Sequence, residues 1–121
     1  MIEQEQADAF AQAWLDAWNR HDLEAILSHY SDNIEFISPV VVRLLGDHTG
    51  KICGKPALRS YFEKGLATYP DLFFRLEKAL PGVQSITLYY QSINDLVAAE
   101  VMEFDAQHRV VRVLAHYAPR S

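Results

Sequence analysis

The chain has 121 residues, 50% hydrophobic and 22% charged, with five Gly and five Pro, the proportions of a folded globular domain rather than of a disordered, collagen-like or fibrous chain. Eleven Lys and Arg against 16 Asp and Glu leave a net charge of −5, and no stretch gathers four basic residues. That distribution excludes the basic stripe of a nucleic-acid binder and the polybasic face of an anionic-membrane binder.

Met1 to Gln6 is polar and acidic, without the apolar run of a secretory leader. No apolar stretch approaches the roughly 18 residues of a membrane span, so a cytoplasmic location is the expectation. From Gln4 to Asn19, Ala7, Phe10, Ala11, Trp14, Ala17 and Trp18 recur at steps of three and four, which sets them on one helical face. Asp22 is suited to cap a second, shorter helix that turns Leu23, Ile26, Leu27 and Tyr30 inward and stops at Ser31-Asp32-Asn33. Ile34 to Ser38 alternates as a strand, with Ile34, Phe36 and Ser38 on one face and Glu35 and Ile37 on the other, until Pro39 interrupts it.

Val40 to Leu45 is β-branched and apolar, Gly46 to Gly50 reads as a turn, and Lys51 to Cys53 as a short strand. Cys53 is the only cysteine, which excludes an internal disulfide and offers no zinc spacing; it reads as a half-buried strand residue. Pro56 suits the first position of a third helix, striped by Leu58, Tyr61, Phe62, Gly65 and Leu66 and ended by Tyr69-Pro70-Asp71. Leu72 to Leu80, Val83 to Ser92, Leu96 to Phe104 and Arg109 to Tyr117 follow as strands whose short links imply consecutive antiparallel hairpins. The order predicts one α+β domain over residues 1–121, with three helices on a long curved sheet. Six Phe, six Tyr and two Trp are more rings than a small two-layer core needs, and they could equally line a cavity.

Hairpin register decides which residues share the interior. A four-residue loop Asp105 to His108 pairs Phe104 with Arg109, Met102 with Val111, Glu100 with Val113 and Ala98 with Ala115. Glu100 then lies on a largely apolar face with Ala98, Met102, Phe104, Val111, Val113, Ala115 and Tyr117, while Val101, Glu103, Val110, Arg112 and His116 occupy the back. A two-residue turn at Asn94-Asp95 brings Tyr89 opposite Glu100; a loop one residue longer brings Tyr90 to that face instead. A carboxyl in mid-strand on an apolar face finds a partner or holds its proton, which makes Glu100 the candidate acid or base. Trp14 and Trp18 read first as core, though an indole N–H can enter a pocket, and Tyr61 has the same duality. Ser38 ends its strand without a His and Asp at motif spacing or a nucleophile elbow. The five His show no metal-ligand spacing with a third carboxylate.

The string from Trp14 through Asn19-Arg20-His21-Asp22-Leu23-Glu24-Ala25-Ile26 to Tyr30-Ser31-Asp32-Asn33-Ile34-Glu35-Phe36 resembles the nuclear transport factor two-like superfamily, and within it the SnoaL-like branch. Gly54-Lys55-Pro56-Ala57-Leu58-Arg59-Ser60-Tyr61-Phe62 and the closing strands Glu100 to Tyr117 extend the resemblance over nearly the whole chain. It implies a strongly curved, mixed or antiparallel sheet wrapped by three helices into a cone with an apolar pocket, commonly dimeric through the sheet's outer face. Members include ketosteroid isomerases, polyketide cyclases, scytalone dehydratase and limonene epoxide hydrolase, beside many non-catalytic domains. Where the ketosteroid isomerases place their proton-shuttling aspartate this chain has Ser38, and where they place an oxyanion-hole tyrosine it has Trp14; their second oxyanion acid corresponds to Glu100. Steroid-type allylic isomerisation is thereby disfavoured, since Ser38 cannot serve as a base near neutral pH.

Three readings follow. In the first, Glu100 performs isomerase-, cyclase- or dehydratase-type acid/base chemistry on a small, mostly apolar molecule, without a cofactor or metal. The molecule is contacted by Trp14, Trp18, Phe36, Ser38, Tyr61, Tyr89, Met102 and Tyr117. In the second, the same pocket binds without chemistry. In the third, the rings fill the interior and the chain is a dimerisation domain. A homodimer through the back of the sheet is expected from Val101, Val110 and the apolar residues alternating there. A cavity of a few hundred Å³ would rule out the third reading.

Overall fold

A computed structural model describes residues 1–120. Its elements run α1 (Gln4–Asn19), α2 (Leu23–Leu27), β1 (Tyr30–Ile37), α3 (Pro39–Leu45), β2 (Lys51–Cys53), α4 (Lys55–Thr68), β3 (Arg75–Pro81), β4 (Ser85–Gln91), β5 (Leu96–Phe104) and β6 (Val110–Pro119). The six strands form one mixed sheet in the order β2-β1-β6-β5-β4-β3, with β1 and β6 parallel and the other neighbours antiparallel. Among the described residues β2 and β3 are its edges, so the sheet does not close. Helix α1 lies over β3 and α4 over β1, which leaves the core between the helices and one face of the sheet. The accessible surface is 6727 Å², close to the roughly 6,600 Å² that chain length alone implies. No helix is long and apolar enough to cross a membrane.

The first helix begins as its sequence dictates: Glu3 N–H donates to Gln6 Oε1 at 2.8 Å, and Ala7, Ala11, Trp14, Leu15, Ala17 and Trp18 are buried. Asp22 caps α2 by accepting Ala25 N–H at 3.1 Å. That helix is shorter than predicted, and Tyr30 belongs to β1 instead. Tertiary pairing overrides the helical pattern there: Val110 N–H donates to His29 O at 2.8 Å, and Tyr30 lies opposite Val110.

Four helices stand where the sequence reading has three, because the β-branched run after Pro39 is helical. Ser38 Oγ accepts Val40 N–H at 3.1 Å, Pro39 fits the first turn with no N–H to satisfy, and Gly46 closes the helix at φ 69°. Cap and stop signals at both ends outweigh β propensity over seven residues. Cys53 is on β2 as expected, but exposed rather than half-buried.

The last two hairpins decide the interior face. Between β4 and β5 the loop is Ile93–Asp95: Ser92 N–H donates to Leu96 O at 2.8 Å, and Asn94 and Asp95 take φ 53° and 58°. Leu88 therefore lies opposite Glu100 and Tyr90 opposite Ala98, the longer-loop alternative. Tyr89 points to the back face, where it is 40% exposed. Between β5 and β6 Asp105 pairs with Arg109, its N–H donating to Arg109 O at 2.8 Å, and His108 sits at φ 61°. The loop is thus one residue shorter than expected, and a bulge after Val110 restores the strand. Val110 faces in and is fully buried, whereas the four-residue loop had set it on the back. Beyond the bulge Met102 lies opposite Val113 and Glu100 opposite Ala115. That is a slip of two residues from the expected pairs, and an even slip leaves every side chain on its face. Ala98, Glu100, Met102 and Phe104 are all buried on the inner face, as predicted.

Candidate functional site

Glu100 is set in mid-β5 between two small neighbours, Ala98 two residues away on the strand and Ala115 opposite on β6. Their short side chains leave lateral room that Tyr90, diagonally placed on β4, fills. Its hydroxyl donates to Glu100 Oε1 at 2.6 Å. Glu100 is only 4% exposed, and its second oxygen, Oε2, has no hydrogen-bond partner among the described residues. Burial favours the neutral acid and pushes this carboxyl up from the ordinary 4.5 to about 7, against the lowering effect of the Tyr90 hydrogen bond.

Four buried phenols surround the carboxyl. Tyr30, Tyr61, Tyr90 and Tyr117 are each held well above the usual tyrosine range, first by burial and then by the charge that Glu100 would carry. They stay protonated across the physiological range. Glu100 is the member of this group that can change charge near neutral pH.

The site belongs to a small cavity of about 60 Å³. That is about two water molecules' worth of liquid volume, well short of the few hundred Å³ that a free-standing pocket would show. Most of the interior is packed ring on ring. Trp14 stacks on Phe74 at 5.7 Å between ring centres, Trp18 meets Phe62 edge-on at 4.8 Å, and Phe74 lies 4.8 Å from Tyr90. The surplus of rings is therefore chiefly core, with the remaining space concentrated beside Glu100. Among the described residues, no Lys, Arg or His lines that space.

Trp18, also on the cavity lining, is 8% exposed; its indole Nε1 makes no well-formed hydrogen bond among the described residues, though it lies close enough to the Tyr30 hydroxyl to act on it. The neighbouring indole is satisfied: Trp14 Nε1 donates to the Tyr30 hydroxyl at 3.0 Å. An unmatched buried donor costs about 1–3 kcal/mol, and such atoms are rare.

The cavity has one thin wall. Tyr69, Leu72, Ser92 and Ile93 line it and also line an outer groove of about 360 Å³ between the α4–β3 connection and the β4–β5 turn. The first side of this rim is tied down from α1: Asn19 Oδ1 accepts Phe74 N–H at 2.7 Å, and its Nδ2 donates to Phe74 O at 2.9 Å.

Of the residues singled out from sequence, Glu100, Trp14, Trp18, Phe36, Tyr61 and Tyr117 meet at this cavity. Met102 is fully buried on the same face but does not reach it. Ser38 is buried as the cap of α3 against the Tyr61 and Tyr117 hydroxyls, just behind the lining, and Tyr89 is on the opposite face. Phe104, expected among the converging rings, packs on Phe10 at 5.1 Å away from the cavity. Tyr90 takes the place of Tyr89 through the one-residue difference in loop length. Tyr30, whose spacing fits the second helix, stands on β1, and Phe74 carries no signal beyond being apolar.

Among curated proteins none matches the sequence. A SnoaL-like protein of unknown function from Burkholderia thailandensis is 43% identical, with a TM-score of 0.93 over 97% of this chain and 98% of that one. A provisionally named isomerase of the SnoaL-like family from Agrobacterium tumefaciens is 16% identical, with a TM-score of 0.76 over 94% and 98% of the two chains. A provisionally named ketosteroid isomerase from Kribbella flavida is 18% identical, with a TM-score of 0.71 over 95% and 79%. At these last two identities the likeness is one of fold. The SnoaL-like domain family itself matches residues 11–118, from the middle of α1 to the end of β6. The chain belongs to the SnoaL-like family, with the α+β fold that the resemblance implied.

Proposed function

We propose that this protein binds a small, mostly apolar carbonyl compound beside Glu100 and carries out acid/base chemistry on it. The observation behind the proposal is one carboxyl on the cavity lining, buried and half-satisfied: Tyr90 holds Oε1 while Oε2 is buried without a partner among the described residues. A carboxyl balanced near 7 exists in both forms at neutral pH, the condition for efficient proton transfer. As carboxylate, Oε2 accepts a proton from the carbon beside the carbonyl. As acid, it returns that proton to another atom of the same molecule, so nothing else is consumed. Such a shuttle suits an isomerisation and accords with the provisional isomerase names of the Agrobacterium and Kribbella proteins.

Binding without chemistry is the second reading, favoured by the cavity's having no second carboxyl among its described lining residues. Glu100→Gln separates the two, since it preserves shape while removing the proton transfer. On a panel of small enolisable ketones and enones, the acid/base reading expects turnover to fall at least about a hundredfold with binding retained. Unchanged turnover of every accepted substrate would overturn it.

A second copy is the partner proposed for the back of the sheet, where Val97, Ala99, Val101 and Leu114 are only half-buried in the single chain. Sedimentation at micromolar concentration should give twice 13.8 kDa; a monomer there would remove this reading.

A further inference from the structure

The packing on either side of Glu100 does not grip its carboxyl, because the neighbours there are Ala98 and Ala115, whose side chains end at one carbon. The titratable groups that face it are phenols: Tyr30 from β1, Tyr61 from α4, Tyr90 from β4 and Tyr117 from β6. Helix α1 presents indoles, and α3 presents Val40 and Leu44, with Arg43 acting on Tyr61 from outside the lining. Among the described residues only Tyr90 is hydrogen-bonded to Glu100, at 2.6 Å. Tyr90 is itself held: it is 1% exposed, edge-on to Trp14 at 5.2 Å and 4.8 Å from Phe74 between ring centres. Its one hydroxyl proton goes to Oε1, and the Tyr117 hydroxyl lies close enough to act on its oxygen.

We infer that Tyr90 is the positioning residue for Glu100: by holding Oε1 it leaves Oε2 as the one oxygen through which the carboxyl takes and returns a proton. This rests on the reading of Glu100 as acid and base. Burial keeps the Tyr90 hydroxyl protonated, so the bond lasts through both states of the carboxyl. When Glu100 is ionised, the bond is charge-assisted and supports the anion. When Glu100 is neutral, Oε1 still accepts from Tyr90, and the acid proton sits on Oε2. Tyr90 thus gives up no proton of its own; its task is to orient the group that does. Without that hydroxyl the carboxyl would be free to turn between two alanines and present either oxygen, and the buried anion would lose its one hydrogen bond.

Two replacements change the donor in opposite directions, and NMR titration of the Glu100 carboxyl carbon reads both without any ligand. Tyr90→Phe keeps the ring and removes the hydroxyl. The midpoint should rise from about 7 to about 8 or higher, since a hydrogen bond to a charged group is worth about tenfold or more in proton affinity. Replacing Tyr90 with 2,3-difluorotyrosine keeps the hydroxyl and makes it a stronger donor, so the midpoint should fall below about 7. The fluorinated protein retains the bond, and so tests the inference even where Tyr90→Phe fails to fold. Tyr61→Phe removes a phenol from the same lining that is not bonded to Glu100, and should leave the midpoint in place. A purely structural Tyr90 would lower Tm and leave the midpoint unmoved. An unmoved midpoint in either Tyr90 protein, or an equal rise in Tyr61→Phe, would overturn the inference. On the panel of enolisable ketones and enones, the pH of half-maximal turnover should rise with the midpoint in Tyr90→Phe. The inference fails separately from the acid/base reading. Turnover lost in Glu100→Gln with the midpoint unmoved in Tyr90→Phe removes the positioning alone. A moved midpoint with turnover unchanged in Glu100→Gln removes the chemistry alone.

Discussion

Glu100 and Glu35 are the same side chain on opposite faces of one sheet, and the sheet makes them opposite chemical objects. Glu35 stands on the outer face in water, accepting Arg112 Nε at 3.1 Å with Lys51 Nζ 3.7 Å away. Those cations hold its carboxyl below the usual range, with the Arg112 hydrogen bond foremost. Among the described residues no Lys, Arg or His lines the cavity at Glu100, and burial pushes its carboxyl the other way. Exposure and partners, not residue type, therefore decide which glutamate is ionised and which is poised. An outer-face ion pair in high dielectric adds little to stability, whereas an unpaired inner carboxyl is costly and persists where the fold or the function tolerates that cost.

The contrast can be broken most severely from the inner face. Leu88, fully buried and directly opposite Glu100, should cost about 2–5 kcal/mol as Leu88→Ala, read as a lowered urea midpoint with unchanged slope. Next in size is the effect of pH. The folded chain keeps a proton on Glu100 that the unfolded chain loses near 4.5. The group therefore stabilises the fold fully below that pH, and the stabilisation is lost as pH rises through about 7. At pH 8 the ionised form costs the fold on the order of 3 kcal/mol, which Glu100→Gln should recover while flattening the stability profile between pH 5 and 8. Ser38→Ala removes the cap of α3 and should cost about 1 kcal/mol, seen as a lower Tm with the inner carboxyl's titration unmoved. Smallest is Glu35→Gln, whose effect on Tm should be less than that of Ser38→Ala and should vanish in high salt.

How much of this was legible in the sequence turns on parity. The inner position of Glu100 survived an error of two residues in the β5–β6 register because an even slip preserves the face. The choice between Tyr89 and Tyr90 turned on one residue of loop length, and one residue reverses everything. Helix α3 is hidden because three consecutive valines read as strand, although Ser-Pro at one end and Gly at the other are helix boundaries; Ser38 is nevertheless buried on the face expected of it, against the Tyr61 and Tyr117 hydroxyls. Trp18 was legible as apolar, but whether its N–H has a partner depends on which hydroxyl lies across the core. That is a tertiary fact: the Tyr30 hydroxyl takes the Trp14 N–H at 3.0 Å, with Trp18 beside it. The size of the cavity was out of reach for the same reason, since ring count fixes volume but not how rings interlock.

One buried, half-satisfied carboxyl on the cavity lining is balanced between its two forms near neutral pH. Titration of the Glu100 side-chain carboxyl carbon by NMR in the folded protein, assigned with Glu100→Gln, tests it directly. The midpoint is expected at about 7. A midpoint near the ordinary glutamate value of roughly 4.3 would contradict it.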